Sequence, residues 1–246
     1  MTTTIPHTAM VLAAGYGKRM QPLTLTTPKP LLQIGGKAML DHALDRLHEA
    51  GIRRAVVNAG YLGEQIAQHL AGRSDPAIII SREATPLETG GGVKHALPHL
   101  GHDPIFILNA DLPWQDGAAP ALDKLRRNWD KARMDMLLLT MPKNRTHGFG
   151  GNGDFDLLPD GRLQRRHHAP PYEHVFIGAM IARPELWRAV EQTVFSNNIL
   201  FDRAEAAGRL YGCVHDGTCY HAGTPEDLAR ANALLASGRG GGKNDV

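Results

Sequence analysis

Residues 8–30 read TAMVLAAGYGKRMQPLTLTTPKP: a short apolar strand at one end, a lysine held between two prolines at the other. The strand, Thr8 to Ala13, runs straight into Ala14 and the loop Gly15-Tyr16-Gly17. Glycines at that point bring backbone N–H groups close to a ligand with no side chain in the way. Lys18 and Arg19 add fixed positive charge, and together these features make a receptor for a polyphosphate. Pro28 and Pro30 restrict the chain on both sides of Lys29, so its ammonium is presented from a stiff segment.

Outward from that loop, the first half of the chain alternates strand and helix patterns. Strands are expected at Arg54 to Asn58, Ala77 to Ser81 and Pro104 to Asn109. Between them helices are expected at Asp41 to Ala50, stopped by Gly51, at Tyr61 to Leu70 and at Gly90 to Leu97. This rhythm predicts a parallel, doubly wound sheet that binds ligands at the carboxyl ends of its strands. Farther on come a helix at Ala119 to Lys131, a strand at Met134 to Thr140 and a Gly-, Pro-, His- and Arg-rich stretch at 142–172. That stretch, with strand-like pieces around Phe155 and Leu163, reads as a binding loop or antiparallel flap. Strands at His174 to Ile181 and Leu210 to His215 and helices at Pro184 to Glu191 and Ile199 to Ala207 follow. The last helix spans Pro225 to Leu235 with Thr224 as its cap. One domain over 1–236 and a flexible tail over 237–246 are expected.

The chain has 246 residues, enough for one elaborate α/β domain, and a formal net charge of +2. So small a charge argues against a nucleic-acid binder that relies on a strong basic field. No apolar run reaches membrane-spanning length, and no signal peptide is recognised. Cys213 and Cys219 match neither a zinc ribbon nor a redox Cys-x-x-Cys, and read as reduced core thiols of a cytoplasmic protein.

The glycine loop is not the dinucleotide fingerprint, because Met20 stands where its third glycine belongs. No Gly-Lys-Ser/Thr follows, so it is not a P-loop either. The whole set, LAAGYGKRMQPLT followed by Pro28-Lys29-Pro30, resembles the signature of the sugar-phosphate nucleotidyltransferase family, L-A-A-G-x-G-x-R-x-x-P-L-T and then P-K-P. That resemblance implies a Rossmann-like (GT-A-like) fold, with a mostly parallel central sheet flanked by helices and a small antiparallel flap on the sugar side. It implies an enzyme that makes an NDP-sugar and pyrophosphate from an NTP and a sugar 1-phosphate with Mg²⁺. The partners are then small molecules, not nucleic acid or membrane, and the enzyme a monomer or homodimer. Ala13, Ala14, Gly15, Gly17, Lys18 and Asn109 would face the nucleotide, with Arg19, Lys29 and Asp111 catalytic.

Asn109-Ala110-Asp111 lies just past an apolar strand, where a carboxylate facing phosphates suits Mg²⁺, and the family's metal aspartate matches Asp111. The other reading of Asp111 is a turn residue before Leu112-Pro113. Leu87-Glu88-Thr89-Gly90-Gly91-Gly92 would let a flat base lie against Gly90 and Gly91, with Glu83 or Glu88 as its side-chain partner. The LETGGG form resembles the bacterial branch that activates N-acetylmuramic acid 1-phosphate with UTP in cell-wall (peptidoglycan) recycling. His221-Ala222-Gly223-Thr224-Pro225-Glu226 resembles the family's D-x-G-T-P-E, with His221 in place of a second metal carboxylate. His221 is open to three readings: metal ligand, phosphate contact or structural histidine. Arg165, Arg166, His167 and His168 form a small cationic cluster, read as a solvated loop or as contacts to an anionic sugar. Asn144, Glu173 and Asn198 are candidates for sugar contacts. The alternatives are another hexose 1-phosphate with a dTTP, CTP or GTP donor, phosphocholine as acceptor, and a nucleotide-sugar sensor that has lost turnover.

Overall fold

The computed structural model describes residues 6–165 and 170–237. Seven strands form the central sheet: β1 (Thr8–Leu12), β2 (Arg54–Ala59), β3 (Ala77–Arg82), β4 (Ile105–Asn109), β5 (Met136–Pro142), β6 (His174–Ala182) and β7 (Leu210–Val214). Their order across the sheet is β7-β5-β6-β4-β1-β2-β3. β4, β1, β2 and β3 are mutually parallel, as is the β7–β5 pair. β6 runs antiparallel to both β4 and β5, so the sheet is mostly rather than wholly parallel.

The strands alternate in the face they present. Ala9 and Val11 of β1 join one core cluster with α1 (Met39–Glu49), α2 (Gly63–Leu70) and α4 (Ala121–Asn128). Met10 joins the other, with α3 (Glu88–Leu100), α5 (Glu185–Arg188) and α6 (Asn198–Ala206). Continuous apolar strands are what a sheet covered on both faces requires. The closing helix α7 (Pro225–Ala236) lies in a third cluster with Met20, Ile34 and Tyr220, and so braces the segment after the glycine loop. Thr224 caps α7, its hydroxyl accepting from the Asp227 N–H at 3.2 Å.

Several boundaries differ from expectation. The helix expected at 119–131 covers only Ala121–Asn128, because Pro120 starts it and Trp129 is extended. The one expected at 184–191 is the single turn α5. α3 begins two residues earlier than expected and continues past Pro98. The flap region supplies a two-stranded antiparallel ribbon, Asp156–Leu157 with Leu163–Gln164. It also lends Thr146–His147 to a three-stranded sheet with Trp114–Gln115 and Thr218–Tyr220. Residues 166–169 and 238–246 lie outside the described residues, and with them Arg166, His167, His168 and nearly all of the expected tail.

Gly90 and Gly91 of α3 make a close contact with the loop at 193–195, while Gly92 faces Asn58 and Glu83. The N–H groups of Gly90 and Gly91 both donate to the Phe195 carbonyl, at 2.8 and 3.0 Å. A Cβ on Gly90 would enter the Phe195 ring, and one on Gly91 would run into the Thr193 carbonyl oxygen. Helix propensity alone favours alanine over glycine by about 1 kcal/mol, but here a rigid backbone carbonyl blocks the methyl. Gly91→Ala should therefore destabilise the protein by roughly 1–3 kcal/mol, read by urea denaturation. An equal or raised stability would show that the 193–195 loop gives way freely.

Candidate active site

A cleft of about 370 Å³ opens where β1, β2 and β4 end, and Leu12, Asn58 and Asn109 from those ends line it. Ala13, Ala14, Gly15 and Gly17 border the same cleft with Lys18 and Arg19. A Cβ placed on Gly15 would meet nothing within 4 Å, so this stretch of backbone is open to an approaching ligand. Gly17 is left-handed (φ 61°), and a Cβ there would sit 3.0 Å from both the Lys29 Cβ and the Thr24 methyl. The loop thus folds tightly onto the segment that carries Lys29, fastened by the Thr24 hydroxyl donating to the Gly17 carbonyl at 2.9 Å.

Pro28 is extended (φ −63°, ψ 139°) and leads into a single 3₁₀ turn, Lys29–Leu31. From that turn the Lys29 Nζ donates to Asp111 Oδ2 at 2.6 Å. The Lys29 side chain is only 12% exposed and that of Asp111 35%, so the pair is shielded on one side and open to the cleft on the other. Burial pushes the Asp111 carboxyl up. The Lys29 charge and hydrogen bond, together with its own backbone N–H, outweigh that and hold it below the usual carboxylate range. Asp111 is an ionised oxygen donor at neutral pH.

Among the described residues no group of three or more His, Cys, Asp or Glu side chains could hold a metal ion. One ionised carboxylate facing a cation-lined cleft still suits Mg²⁺, which is held by one or two carboxylates plus substrate phosphates rather than by an all-protein cage. His221 follows the strand Thr218–Tyr220, and its ring packs edge-on against Phe149, centroids 5.6 Å apart. The ring makes no hydrogen bond to the described residues. Burial and the charges of Lys29 and Arg19 lower its pKa, with Asp111 and Asp227 opposing, so the imidazole is neutral at pH 7.

Ala13, Asn58 and Glu83, also in the cleft lining, are joined in a buried polar chain. Asn58 Oδ1 accepts from the Ala13 N–H at 2.6 Å, and its Nδ2 donates to Glu83 Oε1 at 2.7 Å. Glu83 Oε2 accepts from the Leu87 N–H at 2.9 Å. Glu83, expected as a reader of a base, therefore spends both oxygens on the protein and ties the glycine loop to the entry of α3. Asn58, which the sequence reading missed, is the link. Its only signal was an asparagine in an otherwise apolar run, AVVNA.

Some expected residues fall elsewhere. Gly90 and Gly91 line no part of the cleft, because their N–H groups and Cα faces are taken by the 193–195 loop. Pro86, Glu88 and Thr89 occupy the place proposed for those glycines. Asn144, Glu173 and Asn198 are exposed and outside the cleft lining. Asn198 instead accepts from Arg165 through both its side-chain and backbone oxygens. Arg165 itself pairs with Asp202 and lies 5.6 and 5.7 Å from the Phe155 and Phe201 ring centres, a packed position rather than a solvated loop. Both cysteines are buried and unpaired, and burial with the nearby Asp111 charge pushes the Cys219 thiol up to about 12.

Similarity to known proteins points the same way. The chain is 40% identical over 236 residues to the N-acetylmuramate alpha-1-phosphate uridylyltransferase of Caulobacter vibrioides, covering 94% of this chain and 98% of that protein. It is 34% identical to the enzyme of the same name from Neisseria meningitidis, covering 93% and 98%. HddC from Yersinia pseudotuberculosis, solved complexed with GMP-PN, shares the fold with a TM-score of 0.75 at 19% identity, covering 93% of this chain and 99% of that one. Residues 9–210 match the MobA-like NTP transferase domain, and the chain belongs to that family of nucleotidyltransferases.

Proposed function

We propose that the protein transfers a uridylyl group from UTP to N-acetylmuramic acid 1-phosphate, giving the UDP-sugar and pyrophosphate, in the cytoplasm and in peptidoglycan recycling. The observation that carries the reading is the Lys29–Asp111 pair at the mouth of a cleft lined by the glycine loop, Lys18 and Arg19. The two relatives named for this reaction, aligned over nearly their whole length, support the choice of donor and acceptor. No helix among the described residues is long and apolar enough to cross a membrane.

In the reaction an oxygen of the sugar phosphate attacks the α-phosphorus of the nucleotide. The new P–O bond forms as the bond to the β-phosphate oxygen breaks, and pyrophosphate leaves. The attacking oxygen is already ionised at neutral pH, so no general base is needed. The protein has two tasks: to hold two anions within reacting distance, and to offset the charge that builds on the leaving group. Arg19 and Lys18 take the β- and γ-phosphates, and Lys29 bridges the α-phosphate and the sugar phosphate. Asp111 would hold a Mg²⁺ ion, which supplies charge neutralisation at the phosphates when bound. His221, neutral and with no side-chain hydrogen bond to the described residues, would offer a lone pair to that ion or a hydrogen bond to a phosphate.

Pyrophosphate release measured across UTP, dTTP, CTP, GTP and ATP against a panel of sugar 1-phosphates tests the assignment directly. UTP with N-acetylmuramic acid 1-phosphate should lead. A different leading pair would overturn the substrates, and no release with any pair would overturn transfer itself.

Lys29→Ala should lower kcat/KM by roughly a hundredfold or more, mostly through kcat, because its two phosphate contacts strengthen toward the transition state. Near-wild-type kcat in the folded variant would remove Lys29 from the chemistry. Asp111→Asn keeps the side chain's shape but loses its charge, so Mg²⁺ titrations of activity should shift to much higher concentration. An unchanged titration would leave Asp111 as a turn residue only.

A further inference from the structure

The glycine loop must hold its backbone N–H groups and two cations in one arrangement, yet glycine is the residue that loses most freedom on ordering. Its bracing comes from the turn after β2. Gly60 passes so close to the loop that a Cβ there would sit 3.0 Å from the Ala14 carbonyl oxygen and 3.2 Å from the Ala14 Cβ. Tyr61 follows and grips the loop three times. Its N–H donates to the Ala14 carbonyl at 3.3 Å, its hydroxyl donates to the Thr24 carbonyl at 3.0 Å, and its ring lies against Tyr16, centroids 5.5 Å apart. One helical turn on, Gln65 Nε2 donates to the Thr26 carbonyl at 2.9 Å. Thr24 carries the bracing inward, since its own hydroxyl is bonded to Gly17, where a Cβ would meet the Lys29 Cβ at 3.0 Å. Tyr61 itself lines no part of the cleft.

That turn is strained. Leu62 has φ 51°, the left-handed region that favours glycine and disfavours a residue with a Cβ. The Gly63 N–H donates to the Gly60 carbonyl at 3.0 Å and the Gln65 N–H to the Leu62 carbonyl at 3.1 Å, so hydrogen bonds close the turn across both Tyr61 and Leu62. The bend starts α2 directly after Tyr61 and sets Tyr61 and Gln65 one above the other, both bonded to residues 24–26. Strain kept at a turn that fastens a ligand-binding loop indicates function more than packing.

We infer that Tyr61 is a positioning residue for the nucleotide's phosphates: from outside the cleft it holds residues 14–26 in the arrangement that receives them. This inference rests on the transferase reading, which places the β- and γ-phosphates against Lys18 and Arg19. A loop that visits other arrangements binds with an affinity reduced by the fraction of time spent in the competent one. Tyr61 raises that fraction before the ligand arrives, so less of the binding energy goes into ordering the loop. Its effect falls on the triphosphate, because the phosphate-receiving loop is the part of the cleft that it braces.

The test is direct titration of UTP and UMP, with Mg²⁺ present, against the wild-type protein, Y61F and Y61L, alongside melting temperatures. Y61F keeps the ring and the backbone bond and loses only the hydroxyl; Y61L loses the ring as well. UTP affinity should fall roughly fivefold in Y61F, the effect of one hydrogen bond. It should fall roughly tenfold or more in Y61L, as the loop spends less time in the competent arrangement. UMP has no β- or γ-phosphate, so its affinity should change by less than about twofold in either variant. The UTP-to-UMP ratio therefore drops from wild type to Y61F to Y61L, and Y61F alone decides the matter if Y61L does not fold. A purely structural role would lower the melting temperature and leave that ratio at its wild-type value. That result would overturn the inference while the transferase reading stands. A wild type that binds UTP no more tightly than UMP would overturn the placing of phosphates on the loop, and the inference with it. Binding is read without turnover, so failed pyrophosphate release counts against the transferase reading alone.

Discussion

One ion pair, Lys29 with Asp111, joins the two halves of the site. Lys29 comes from the proline-bounded turn after the glycine loop, and Asp111 from the end of β4, 82 residues away. In the free protein each neutralises the other in a place too shielded for either to be left alone at no cost. Substrates would exchange these partners: a phosphate competes with Asp111 for the lysine, and a divalent ion competes with the lysine for Asp111. Metal and nucleotide binding would therefore be coupled, because each releases the group the other needs.

The sheet exists to hold that pair in register. Parallel β1 and β4 place Leu12 opposite Asn109, so the glycine loop and the Asp111 turn leave the sheet side by side. β6 enters antiparallel on the far side of β4, and its pairing with β5 shifts between Phe176 and Met180. Gly178 sits in that irregularity with φ 79°, and a Cβ there would come within 2.9 Å of Leu112. The bulge leaves room for the turn that carries Asp111. α7 closes the other side, where Asn232 Oδ1 accepts from the Gly35 N–H at 2.8 Å and steadies the two-stranded hairpin that pairs Gln33–Ile34 with Lys37–Ala38 after Lys29.

Local signals carried most of this into the sequence. The strand, the glycine loop and the Pro-Lys-Pro segment are contiguous, and strands in alternation with helices announce a parallel sheet. What failed to show was non-local. Asn58 bonds Ala13 across 45 residues and Glu83 across 25, and nothing in the sequence around either residue records the pairing. The glycine triplet misled for a related reason. Glycine permits close approach, but it does not say whether a ligand or another stretch of backbone approaches, and here it is Phe195. Arg165 likewise read as a surface cation because two of its partners, Phe201 and Asp202, lie on a helix far along the chain.

The exchange of partners at Lys29 and Asp111 is the claim on which the mechanism turns, and nucleotide binding in the absence of metal tests it most directly. UTP should be titrated calorimetrically into the wild type and Asp111→Asn, first with a chelator and then with Mg²⁺. Without metal the variant should bind UTP at least as tightly as the wild type, because Lys29 no longer has to leave a carboxylate. With Mg²⁺ the order should reverse. Weaker binding by the variant in the chelator would contradict the exchange and leave the ion pair as a structural contact.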